Sequence, residues 1–199
     1  MAANPASIAP SRPPFWFKLS IRMGNLVQVD GLILGSVLLI MAAHSQSPAV
    51  IRIVLMILGW FVVYICCHAI AHWVVGLLGR IRFEGYGVRG TDHPENYPPG
   101  LRQMMSALPT FTVMSEKTSM KKARPWARAL MFAAGETSTT ICSILAGFYA
   151  WRSETPGGLV LFIAMLVFNL LSTIVTPRIP RGDYAKARQA LARPTRSRR

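Results

Sequence analysis

Val50-IRIVLMILGWFVVYICCHAIAHWVVGL-Leu78 is a single apolar run broken only by Arg52, His68 and His72. It is longer than the about 20 residues that carry a helix across a hydrocarbon core. Working outward from it, similar runs cover residues 31–47, 127–151 and 158–176, that at 127–151 broken by Arg128 and Glu136 and the last ending at Pro177. A chain of 199 residues that is 52% hydrophobic, with mean hydropathy +0.35, has no polar surface with which to solvate four such helices in water. The sequence therefore predicts an all-α membrane protein of about four transmembrane helices, one domain spanning residues 15–191. Residues 1–14, rich in Ala, Pro and Ser, predict a disordered tail, residues 91–125 a polar loop, and residues 192–199 a basic tail. No signal-peptide pattern precedes the first run.

The net charge of +14 is unevenly spread. Arg12, Lys18 and Arg22 precede the first run; Arg80, Arg82, Arg89, Arg102, Lys117, Lys121, Lys122 and Arg124 lie between the second and third. Arg178, Arg181, Lys186, Arg188, Arg193, Arg196, Arg198 and Arg199 follow the fourth. The short connections near 44–49 and 152–157 are almost free of basic residues. Basic loops stay on the cytoplasmic side, so both termini and the long loop are predicted to be cytoplasmic. On a membrane protein the basic loop and tail point to anionic lipid headgroups, not nucleic acid, as their partner.

Two polar stretches alternate with period two. Residues 18–30, around Gly24-Asn25, read as a hairpin before the first helix, and Arg80–Arg89 reads as a further strand with glycine bends. Together they predict a small cytoplasmic β-sheet. A short amphipathic segment is expected near Leu101–Leu108. Cys66, Cys67 and Cys142 all fall in predicted helices and read as apolar filler, with no disulfide framework.

His68 and His72 are four apart and lie on one face of a helix. That is the ligand spacing of HExxH zinc sites, where the residue after the first histidine is a glutamate acting as general base; here it is Ala69. At ~1.5 Å per residue, His72 and His68 lie roughly 9 and 15 Å from one end of their helix, Glu136 ~12 Å and Asn169 ~10 Å from the corresponding ends of theirs. Ionisable groups in a bilayer face a partner or a cavity, so these residues are expected to converge. Two readings stay open. In one, His68, His72 and Glu136 bind Zn²⁺. In the other, the cluster is a metal-free hydrogen-bond network that fixes helix packing. Haem ligation fits poorly, because His44 sits near the opposite membrane surface. His93 reads as solvated.

The order of motifs resembles the site-2 protease family of intramembrane zinc metalloproteases. Met23–Val29 looks like that family's amino-terminal strand, and His68-Ala-Ile-Ala-His72-Trp-Val-Val-Gly-Leu-Leu-Gly79 like its HExxHxxxAxxxG helix. Ala133-Ala134-Gly135-Glu136 falls at its Ala-Gly-Pro stretch, and Phe168-Asn169-Leu170-Leu171 followed by Gly182-Asp183 at its Asn-Leu-Leu-Pro…Leu-Asp-Gly segment. The resemblance implies that His68, His72 and Asp183 are metal ligands. It also carries departures. Ala69 replaces the base, Glu136 replaces a proline, and Asn169 and Asp183 are more widely spaced. The expectation is a proteolytically inactive homologue that serves as a partner-binding or accessory subunit for a transmembrane protein. The alternative is an active protease with Glu136 as relocated base.

Overall fold

The computed structural model describes residues 14–90, 99–175 and 182–192. The predicted tails therefore fall largely outside it (residues 1–13 and 193–199), as do His93 and Pro177. Helices α1 (Ile21–His44), α2 (Ala49–Leu78) and α5 (Pro125–Arg152) are each long and apolar enough to cross a membrane. A further apolar helix, α6 (Gly158–Val175), is shorter. The chain is thus mostly helical and built as an integral membrane protein. Its outer faces carry Ile33, Leu34, Leu58, Leu145 and Ile163, all about half exposed, an arrangement that lipid tails solvate and water does not.

Small residues let the helices meet. Gly35 on α1 and Gly59 on α2 face each other so closely that a Cβ on either would stand 2.8 Å from the other's carbonyl oxygen. Close backbone approach of this kind drives helix association where lipid supplies no hydrophobic contrast. The connection between the two helices explains the one arginine in the second apolar run. Arg52 donates from Nε to Ala42 O at 2.7 Å and from Nη2 to Ala43 O at 2.9 Å. It satisfies carbonyls that the end of α1 leaves without helical partners and places a cation at the negative end of that helix.

The predicted hairpin over residues 18–30 is not formed. Only β1 (Phe17–Leu19) is extended, and α1 begins at Ile21, where Ser20 caps it by accepting from Met23 N at 3.3 Å. The alternation there is overridden by a helical face. Gly24, Gln28, Gly35, Leu39 and Ala42 are all buried, a three-, four- and seven-residue spacing that packs against neighbours. Gly24 receives the ring of Tyr86, whose hydroxyl donates to Asn25 Oδ1 at 2.6 Å. The first helix therefore covers 21–44, not 31–47, and Met23–Val29 is not a strand.

The sheet has three antiparallel strands in the order β1-β2-β3, with β2 (Phe83–Arg89) central and β3 (Thr110–Ser115) added on its far side. The β3 segment lies in what the sequence suggested was loop. Within 99–125 the chain also forms α3 (Leu101–Ala107) and α4 (Lys117–Lys122). A final short helix, α7 (Asp183–Ala192), packs along α5 through Ala129, Ala187 and Ala190.

Candidate metal centre

His68 and His72 stand one turn apart on α2, their rings edge to face with centroids 4.8 Å apart. Each ring is held by its Nδ1. His72 Nδ1 lies 2.6 Å from Met131 O on α5. A carbonyl only accepts, so His72 carries a proton on Nδ1. His68 Nδ1 lies 3.0 Å from Thr139 Oγ1, and the Thr139 hydroxyl donates to Gly135 O at 2.9 Å. With its proton spent on Gly135, Thr139 accepts from His68, which fixes the same tautomer. Both neutral rings therefore present bare Nε2 lone pairs, and these meet at 3.2 Å.

The third group arrives from far along the chain. Asp183, in the first turn of α7, sets Oδ2 at 3.3 Å from His68 Nε2 and 3.2 Å from His72 Nε2. Its Oδ1 accepts from Lys186 Nζ at 2.8 Å. A contact between Thr137 Oγ1 and Tyr184 OH at 3.2 Å ties the start of α7 to α5. Burial pushes the Asp183 carboxyl up; the Lys186 ammonium, and a proton on either facing histidine Nε2, pull it down and outweigh burial. The net direction is below the usual carboxylate range.

Three acceptor atoms thus face one point with no donor among them when the rings are neutral. Lone pairs at this separation repel, so the arrangement calls for a positive charge between them, either an extra ring proton or a metal ion. The three residues form a group able to hold a metal. A tetrahedral zinc with bonds of about 2.0 Å has ligand–ligand edges of about 3.3 Å; the three separations here are 3.2, 3.2 and 3.3 Å. They make one face of such a tetrahedron. Gly135 keeps that space clear, since a Cβ there would lie 2.2 Å from His72 Nε2 and 2.7 Å from His68 Nε2. Side-chain exposure of 31% at His68 against 11% at His72 makes the His68 side the approach from outside.

Of the residues expected at the site, His68, His72 and Asp183 come together. Glu136 is near enough to interact electrostatically with all three and with Lys186, but it is not part of the ligating group among the described residues. Asn169 does not join the cluster through its amide nitrogen: Nδ2 donates to Met165 O of its own helix at 2.7 Å. Gly135, Thr139 and Lys186 were missed. Lys186 is three beyond Asp183 on the same helix, so helical spacing from that ligand would have pointed to it; Gly135 and Thr139 lie on α5, which carries none of the three ligands. No protein-family model matches the chain, and no curated protein or solved structure is recognisably similar to it.

Proposed function

We propose that His68, His72 and Asp183 bind Zn²⁺ inside a four-span bundle of site-2 protease type, and that the protein works without cutting peptides, as a partner-binding or accessory subunit of a membrane complex. Both termini and the sheet lie on the cytoplasmic side in this reading, which follows the distribution of basic residues. The observation that carries the metal is the trio of acceptor atoms spaced as one face of a zinc tetrahedron, each histidine oriented through Nδ1 by a fixed acceptor. Outer partners of this kind orient metal ligands and raise their basicity. Zinc held by these three residues would supply Lewis acidity.

The position that should hold the base carries a methyl group: Ala69 is 1% exposed and offers no proton acceptor. General-base assistance is worth about 10²–10⁴-fold, and amide hydrolysis does not proceed at a useful rate without it. The bundle and sheet keep their value for recognition. Among the described residues β3 pairs only with β2, leaving an edge to which an extended segment of a membrane partner can add.

A second reading rests on one observation, the electrostatic proximity of Glu136 to His68, His72 and Asp183. There Glu136 is the base and the protein is an active intramembrane metalloprotease. Incubating zinc-loaded protein with a model transmembrane peptide in liposomes separates the two. We expect no cleavage; cleavage that disappears in Glu136→Gln would establish the second reading in place of the first.

A further inference from the structure

A cleft of about 640 Å³ opens at the sheet end of the bundle, where the last turn of α2, the start of β2, α4 and the first turn of α5 meet. Arg80, Arg82, Lys122 and Arg124 line it together with a single carboxylate, Glu116. Among the described residues none of these four cations has an ion-pair partner, and the carboxylate is engaged by the Thr118 hydroxyl. Four cations against one carboxylate leave the cleft with a positive excess that repels itself, so it has a standing demand for an anion.

The local backbone holds the cations in place. Arg80 adopts φ 58°, the left-handed position that closes a helix and that glycine usually fills. Its N–H donates to Leu77 O at 2.9 Å and that of Ile81 to Gly76 O at 2.8 Å, so the end of α2 is closed with an arginine at the turn. Arg82 N donates to Ser119 Oγ at 2.6 Å and Glu116 N to Arg82 O at 2.9 Å, which ties α4 to the strand. The surroundings say where the cleft lies. Leu77, Leu78 and Leu130 are 54%, 78% and 54% exposed on the adjoining helix faces, and Trp126, itself lining the cleft, is 50% exposed. Apolar side chains stop and cations start at this level, and tryptophan favours the headgroup boundary.

We propose that this cleft binds the phosphate headgroup of an anionic glycerophospholipid whose acyl chains run along the apolar faces of α2 and α5. A soluble phosphate ester matches the cations but not the exposed leucines and Trp126 beside them. The site is separate from the metal centre and does not depend on it.

Brominated lipids quench tryptophan on contact, so the test is fluorescence of the full chain in mixed micelles, with the Trp126→Phe variant isolating the Trp126 component. Brominated phosphatidylglycerol should quench that component at a mole fraction about tenfold lower than brominated phosphatidylcholine does. Arg80→Gln/Arg124→Gln should abolish the preference. Lys18→Gln/Arg22→Gln, which removes the same charge from exposed positions outside the cleft, should leave it intact. Equal quenching by the two lipids would overturn the proposal, as would a preference that survives Arg80→Gln/Arg124→Gln. Equal loss in the Lys18/Arg22 pair would assign the effect to diffuse surface charge. Reversal by millimolar inorganic phosphate would make the ligand a soluble phosphate ester.

Discussion

Adding one methyl group at Gly135 tests the geometry of the metal centre without touching a ligand. The new Cβ would sit 2.2 Å from His72 Nε2 and 2.7 Å from both His68 Nε2 and His72 Cε1. Carbon needs about 3.5 Å from such atoms, so the His72 ring must retreat by about 1.3 Å. That movement breaks its 2.6 Å bond to Met131 O and carries Nε2 away from Asp183. Overpacking costs about 1–3 kcal/mol and the orphaned carbonyl about 1 kcal/mol more, a total of about 2–4 kcal/mol. Disturbing only the outer partners of a metal ligand lowers affinity about 10–100-fold; displacing the ligand itself should reach at least the upper figure. The assay is a competitive zinc titration with a chromophoric chelator on detergent-purified protein, beside a thermal unfolding scan. Gly147→Ala is the control. Its Cβ would lie 2.8 Å from Phe162 Cα, so it should destabilise the α5–α6 contact and leave zinc affinity unchanged. Wild-type zinc affinity and wild-type stability in Gly135→Ala would refute the described arrangement.

Three other outcomes follow from the same contacts. Thr139→Val removes the acceptor that orients His68 while keeping its volume, and should weaken zinc binding about 10–100-fold in the same titration with less effect on thermal unfolding than Gly135→Ala. Asp183→Asn should release the metal and, with it, part of the docking of α7; hydrogen exchange across 183–192 should rise, while Lys186→Gln, which removes only the outer partner of Oδ1, should leave the metal bound with affinity about tenfold lower. Arg52→Met should cost about 2 kcal/mol of bundle stability by uncapping Ala42 O and Ala43 O, read by denaturant unfolding in detergent, and should not change zinc affinity at all.

The parts of the fold that were legible in the sequence are those set by local chemistry. Hydropathy locates α2, α5 and α6 because transfer into lipid is decided residue by residue, and the spacing of His68 and His72 forces them onto one helix face wherever that helix goes. Alternation around Gly24-Asn25 misled, because a buried stripe at helical spacing and the Ser20 cap outweigh a period-two pattern in a segment that continues directly into a membrane helix. The β3 strand, Thr110-Phe-Thr-Val-Met-Ser115, was hidden because its pairing with β2 is a long-range choice. At the site, Asp183 was reachable only through the order of motifs, since nothing local to Gly182-Asp183 announces a ligand. Thr139 and Gly135 depend on the rotation of α5 about its own axis, and depth estimates carry no information about rotation.

Zinc stoichiometry of the detergent-purified full chain, measured beside His68→Ala/His72→Ala, tests the central claim most directly. The account predicts about one zinc per chain in the native protein and loss of it in the variant. No zinc in either, with both proteins folded and zinc offered in excess, would contradict it and leave the three acceptor atoms held together by a proton.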